Sequence, residues 1–142
     1  MEKKTSKIDP MIGRVFFNKY RLIKKLGEGS FGKVYKAEYK LEYFALKFES
    51  RAEGQNLLEQ EATIMSYLKG PNIHLIKSFG YKNEYNILVM RLMWRRSLEN
   101  IFNIKRKFSV KTAAVLGYQM IDVLQFIHDR HIIHRDINQI IL

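Results

Sequence analysis

The chain has 142 residues, about the size of one domain, and its 46% apolar and 13% aromatic content is typical of a globular protein. The absence of cysteine excludes a disulfide framework and a thiolate metal site, and it fits a reducing compartment. A net charge of +11 favours anionic partners: nucleic acid, a membrane surface, or acidic and phosphorylated protein.

Residues 1–18 are predicted to form an irregular basic extension. This segment lacks the apolar core and the small-residue cleavage site of a secretory signal peptide. No apolar run in the chain approaches the ~18 residues that a membrane-spanning helix needs. We therefore expect an intracellular protein, cytoplasmic or nuclear, that does not cross a membrane.

Five segments have the alternation of apolar and polar side chains that is typical of β-strands. They are residues 20–27, 33–39, 42–49, 73–81 and 85–93. Because short turns separate the first three, we expect them to form an antiparallel meander.

Three other segments have the spacing of helices. One follows the third strand, with an apolar stripe that ends at Gly70 and Pro71. Its stripe consists of Leu57, Glu61, Ile64, Met65 and Leu68. A short helix at 97–102 and a longer one at 110–128 follow, with Ser97 and Ser109 as their N-caps. The longer helix has an apolar seam made of Ala113, Gly117, Met120, Leu124 and Ile127.

The stretch GEGSFGKV, between the first two strands, places Gly27, Gly29 and Gly32 in the pattern G-x-G-x-x-G. Dinucleotide-binding folds use this pattern to open a helix, whereas kinases use it as a turn between antiparallel strands that covers phosphates. The residues that follow, 33–36, include a β-branched and an aromatic residue and make a poor start for a helix, so they favour the second use. An ordinary hairpin turn is the alternative.

Lys47 lies inside a predicted strand among apolar neighbours, and Glu61 lies in the middle of the apolar stripe of the following helix. Each charge is costly to bury alone, whereas the two together neutralise each other. We therefore predict an ion pair from sheet to helix. The alternative is that Glu61 lies at the edge of the stripe and that Lys47 reaches solvent.

The segment IIHRDI, which follows the long helix, offers Asp136 as a general base. Three histidines nearby, His128, His131 and His134, are spaced by three residues. They lack a carboxylate or cysteine partner at metal-site spacing, so we expect packing and helix-end roles and no metal site.

From about Asn18 to its end the sequence resembles the protein kinases, and more closely the casein kinase I family. The resemblance is carried by NKYRLIKKLGEGSFGKVY, YNILVM, SLENIF, KFSVKT, QMI and FIHDRHIIHRDI. It implies an α+β fold with an N-lobe at 19–93, which has a five-stranded antiparallel sheet and one helix. An incomplete helical C-lobe follows at 94–142.

The resemblance also implies the roles of individual residues. ATP would be bound by Leu26, Gly27, Glu28, Gly29, Ser30, Gly32, Val34, Ala45, Lys47, Met90, Leu92 and Met93. Lys47 would contact phosphates and pair with Glu61, and Asp136 would be the catalytic base. The implied cofactors are ATP and Mg²⁺, and the implied substrates are Ser and Thr near acidic or phosphorylated residues, which agrees with the positive charge.

The sequence departs from the family after the predicted base. Asn138, Gln139 and Ile141 stand where the family has Lys, Pro and the metal-binding Asn, and the family's Asp-Phe-Gly motif would lie beyond Leu142. We therefore expect this chain to transfer phosphate poorly by itself. The alternatives are a non-catalytic module that binds nucleotide or a partner and, less favoured, a basic nucleic-acid-binding protein. The apolar seam at 110–128 further predicts poor solubility or dependence on a partner.

Overall fold

The computed structural model describes residues 9–29, 32–54, 56–68, 76–92, 104 and 107–135. These residues fall into two compact units, one ending at Leu92 and one drawn from the later part of the chain. The predicted helix at 97–102, with its cap Ser97, and the predicted helix stop at Gly70 and Pro71 lie outside the described residues.

The first unit is an antiparallel sheet of six strands in the order β1-β2-β3-β4-β6-β5. The strands are β1 (Val15–Phe16), β2 (Tyr20–Gly29), β3 (Gly32–Tyr39), β4 (Glu42–Ser50), β5 (Ile76–Lys82) and β6 (Tyr85–Arg91). A 3-10 turn (Arg51–Glu53) and helix α1 (Leu57–Tyr67) connect β4 to β5. The five predicted strands and the helix between the third and fourth are confirmed, and β1 is an addition.

Residues 9–18 contain a turn and the strand β1, where the sequence predicted an irregular extension. Phe16 pairs with Tyr20 across β1 and β2, and its side chain is only 4% exposed. Met11 and Ile12 pack against the same core. These apolar side chains lie between basic residues, and their burial outweighs the charge that suggested a solvated extension.

One face of the sheet carries the main core, which we call the aromatic cluster. Its members are Phe16, Tyr20, Leu22, Tyr35, Ala37, Phe44, Leu46, Phe48, Ile87 and Val89. The ring of Phe48 meets those of Phe16 and Tyr35 edge-on, with centroids 4.9 and 5.4 Å apart. Because side chains alternate along a strand, Ala45, Lys47 and Glu49 of β4 lie on the opposite face.

Helix α1 packs on that opposite face through Leu58 and Ala62, which contact Leu88 of β6. Of the apolar stripe that the sequence predicted, Leu68 is buried and Met65 packs against this cluster, whereas Leu57 and Ile64 are 39% and 42% exposed, so the prediction is wrong for those two. The helix has two overlapping apolar stripes, and the buried one contains Ala62, whose small side chain lets the helix lie close to the sheet. Glu61 therefore borders the buried stripe.

The second unit contains helix α2 (Val110–His128), whose predicted cap is confirmed: the Ser109 hydroxyl accepts a hydrogen bond from the Thr112 amide. Of the predicted seam, Ile127 is buried, Ala113 is exposed, and the rest is half-buried. Within the described residues, no helix combines the length and apolar character that crossing a bilayer requires.

Candidate functional site

The strand register brings four of the predicted site residues onto one face of the sheet. Val34 lies opposite Lys47, and Met90 lies opposite Ala45. Directly opposed residues in antiparallel strands share a face, so all four lie on the face that carries α1. Ala45 is buried, whereas Val34 and Met90 are half-buried. The face therefore presents an apolar patch beside the amine of Lys47.

The ion pair predicted between strand and helix is present. Lys47 Nζ lies 2.6 Å from Glu61 Oε2, at hydrogen-bonding distance. The prediction that the pair is buried is wrong, because the side chains are 23% and 38% exposed. A partly exposed pair contributes only about 0–1 kcal/mol to stability. Its main effect is therefore to hold a charged amine at a defined place on an accessible surface.

Glu49 is a buried carboxylate that sequence reasoning missed. Its side chain is on the same face as Lys47, and the residue is only 8% exposed. Glu49 Oε1 accepts a hydrogen bond from the Leu58 amide at 3.0 Å, and Oε2 accepts one from Asn86 Nδ2 at 3.0 Å. A signal was present, because a glutamate two residues after Lys47 must lie on the same face of a sheet and needs a partner there.

The β2–β3 hairpin carries the glycine pattern. Gly29 and Gly32 are paired across it, and the tip, residues 30–31 with the predicted site residue Ser30, lies outside the described residues. The Glu28 carboxylate forms ion pairs with Lys25 and Lys33. The hydrogen bond from Lys25 holds the pKa of Glu28 below its usual value, so the carboxylate stays ionised.

The three glycines of the hairpin have different surroundings. A Cβ at Gly27 or Gly29 would meet no atom within 4 Å. At Gly32, φ is +119° and a Cβ would lie 1.9 Å from the carbonyl oxygen of Phe48. Gly32 is thus required by the contact between β3 and β4. The open space at Gly27 and Gly29 fits a backbone that approaches phosphate groups closely.

The resemblance implied that Leu92, directly after β6, takes part in binding ATP. The Leu92 amide donates a hydrogen bond to the Tyr43 carbonyl at 3.3 Å, so the backbone group that Leu92 can still offer to a ligand is its carbonyl. Met93 lies outside the described residues. Leu26 is 46% exposed at an irregularity in the β2–β3 pairing, between Lys25 and Gly27.

The predicted base, Asp136, lies outside the described residues, directly after Arg135 in the second unit. Among the residues that the structure describes, no group of three or more His, Asp or Glu could hold a metal ion. His128, His131 and His134 belong to this described part. The glycine hairpin, the Lys47 amine and the apolar patch are the described features that offer contacts to a ligand.

A comparison with protein families identifies the class. Residues 20–140 match the protein kinase domain family. The match spans the glycine hairpin, the Lys47–Glu61 pair and the segment that contains Asp136. The chain belongs to the protein kinase family.

Within that family the chain is casein kinase I-like. It is 42% identical over 122 residues to Casein kinase I homolog 3 of Schizosaccharomyces pombe. The alignment covers 83% of this chain and 28% of that protein, so the chain spans just over a quarter of its curated relative.

Proposed function

We propose that this chain binds ATP on the α1 face of its sheet and is the nucleotide-binding part of a serine/threonine kinase of casein kinase I type. The observation that carries the proposal is the Lys47–Glu61 ion pair, which lies on the same sheet face as the apolar patch of Val34, Ala45 and Met90. An amine fixed beside an apolar slot matches the two halves of ATP, its phosphates and its adenine.

Each group has a distinct role in the proposed binding. Lys47 contacts the α- and β-phosphates, and Glu61 keeps the Lys47 amine in place. Gly27 and Gly29 let the backbone N–H groups of the hairpin approach the phosphates. Ala45, Val34 and Met90 contact the adenine ring, with Leu26 beside them and the Leu92 carbonyl as a hydrogen-bond acceptor.

Asp136 is the proposed base. It orients the substrate hydroxyl and accepts its proton while the serine or threonine oxygen bonds to the γ-phosphorus and the bond to the β-phosphate oxygen breaks. Mg²⁺ neutralises phosphate charge in such reactions. Asn138 and Ile141 replace the family's Lys and metal-binding Asn. Because the loss of one such charge-stabilising group lowers the reaction rate about a hundredfold to a thousandfold, we expect very slow phosphoryl transfer.

The net charge of +11 supports acidic or phosphorylated proteins as substrates. The same departures, at Asn138, Gln139 and Ile141, favour a second candidate function, namely a kinase-like module that binds nucleotide or a partner and transfers nothing.

Binding is tested by titrating the chain with a fluorescent ATP analogue, with and without Mg²⁺. A hydrogen bond to a charged group contributes about 1.5–3 kcal/mol, so Lys47→Met should weaken binding by roughly tenfold or more. Lys77→Met is the matched control, since Lys77 is an exposed lysine on β5 and should leave affinity unchanged. Equal affinity of wild type and Lys47→Met would contradict the proposed pocket, and binding only to polynucleotide with steep salt dependence would favour a nucleic-acid binder.

Transfer is tested separately with radiolabelled ATP and an acidic phosphopeptide. Asp136→Asn should abolish the residual transfer while leaving nucleotide affinity unchanged. Binding by the wild type without any detectable transfer would support the non-catalytic module instead.

A further inference from the structure

We propose that Glu49 is a positioning residue, which caps helix α1 from the neighbouring strand and thereby sets the position of Glu61 against Lys47. In its effect on nucleotide affinity, this inference rests on the proposed ATP-binding function. The cap itself is a property of the sheet and the helix, and it can be measured without nucleotide.

Helix α1 receives no side-chain capping hydrogen bond from the residue that directly precedes it. Asn56 precedes the helix, but its side chain makes no capping hydrogen bond. Amides of the first helical turn have no acceptor within the helix, and the positive end of the helix dipole favours an anion there. Glu49 of β4 meets both needs, because its carboxylate accepts the hydrogen bond from the Leu58 amide.

The carboxylate is itself fixed by the sheet. Asn86 lies directly opposite Glu49 in the β4–β6 register, and its side-chain amide donates to Oε2. Both residues are buried, at 8% and 6% exposure. Since each carboxylate oxygen has its own donor, one from the helix and one from the sheet, the carboxylate cannot rotate without losing a buried hydrogen bond.

The cap and the ion pair join the same two elements at two points. Lys47 and Glu49 are two residues apart on β4, about 7 Å along the strand. Leu58 and Glu61 are three residues apart on α1, a rise of about 4.5 Å. Two polar contacts add to the packing of Leu58 and Ala62 in fixing the sliding and the rotation of the helix, whereas the Lys47–Glu61 pair is a single point about which the helix can turn.

The rotation of α1 agrees with this interpretation. The helix buries Leu58, the residue whose amide Glu49 holds, whereas the neighbouring Leu57 is 39% exposed. Without the cap, we expect the helix to sample positions in which Glu61 no longer meets Lys47. Apparent nucleotide affinity is then the affinity of the paired state multiplied by the fraction of molecules that keep the pair.

The first experiment is a double-mutant cycle read by affinity for the fluorescent ATP analogue. Glu49→Ala should weaken binding about tenfold and the isosteric Glu49→Gln about threefold, on the scale of a lost hydrogen bond to a charge. Glu59→Gln removes the same charge from an exposed position in the first turn of α1 and should have no effect. In a Glu61→Gln background, the Glu49 substitutions should change affinity less than about twofold. Equal losses in both backgrounds would overturn the proposal, because Glu49 would then act only through general stability.

The second experiment needs no nucleotide. The chain has no cysteine, so spin labels can be placed at Gln60→Cys on α1 and Glu42→Cys on β4, both exposed positions. The label-to-label distance distribution should broaden with Glu49→Gln and stay narrow with Glu59→Gln. An unchanged distribution would overturn the cap even if affinity fell. A broadened distribution in a protein that binds no nucleotide would support the cap and defeat the proposed function.

Discussion

Gly32 illustrates how much a single position in the glycine hairpin can constrain the fold. Its φ is +119°, and a methyl group at this position would come within 1.9 Å of the Phe48 carbonyl oxygen, so any side chain displaces backbone. We expect Gly32→Ala to lower the free energy of unfolding by more than about 2 kcal/mol. Gly29→Ala, in open space, should cost under about 1 kcal/mol. Urea denaturation of both variants measures this, and equal losses would contradict the difference.

We expect the N-terminal turn that begins at Asp9 to be released as the pH falls. Its carboxylate accepts hydrogen bonds from the Met11 amide at 2.9 Å and the Tyr35 hydroxyl at 2.8 Å. The Met11 bond first, and the Tyr35 bond second, lower the pKa of Asp9 below its ordinary 3.8. A pKa depressed in the folded state stabilises the turn above the ordinary value, and this contribution is lost as pH falls through the lowered one.

The measurement is the amide NMR signal of Met11 followed from about pH 5 to pH 2, the range over which such carboxylates titrate. We expect its shift to move towards the unfolded value with a midpoint below 3.8. Asp9→Asn, which cannot ionise, should remove the transition. A midpoint at or above the ordinary value would show that the two hydrogen bonds do not favour the ionised form.

The predictability of the site differs from residue to residue. The pairing of Lys47 with Glu61 could be predicted because each charge stood among apolar neighbours and needed a partner. The partial exposure of this pair could not be predicted, because it depends on which stripe of α1 is buried. Glu49 was missed because it belongs to no motif, and its partners are a backbone amide and an asparagine on a strand distant in sequence.

At the scale of whole elements, the longer strands and both helices were predictable because period and composition agree in them. Strand β1 was not, since its two residues are too few to show a period. The burial of α1 was predicted wrongly at Leu57 and Ile64 for a different reason. Its sequence supports two apolar stripes, and only packing against Leu88 and the contact with Glu49 select between them.

This choice of stripe leads to a direct test. Leu58 is 1% exposed and Leu57 is 39% exposed. We expect Leu58→Ala to lower the free energy of unfolding by about 2–4 kcal/mol and Leu57→Ala by under about 1 kcal/mol. Chemical denaturation of the two variants measures both values. A larger loss of stability for Leu57→Ala than for Leu58→Ala would mean that Leu57 belongs to the buried stripe. It would also remove the basis for the cap at Leu58.

At the scale of the molecule, the chain corresponds to 28% of the length of its curated relative. In its first unit, one face of the sheet carries the aromatic cluster, against which Met11 and Ile12 pack, and the other face is covered in part by α1. Its second unit is different, because α2 presents large apolar side chains to solvent: Val115, Tyr118 and Ile121 are 50%, 73% and 66% exposed. A contiguous exposed apolar surface of this kind promotes association.

We therefore expect the 142-residue chain to associate as its concentration rises, measured by sedimentation velocity. Replacing Tyr118 and Ile121 with Lys should reduce association, because the exposed apolar surface becomes charged. A control that pairs Gln119→Lys with Asp122→Asn, both exposed on α2, raises the net charge by the same two units and leaves the apolar surface intact. If charge repulsion were the cause, both pairs would reduce association equally. A wild-type chain that stays monomeric at all concentrations would show that the exposed side chains of α2 form no adhesive surface.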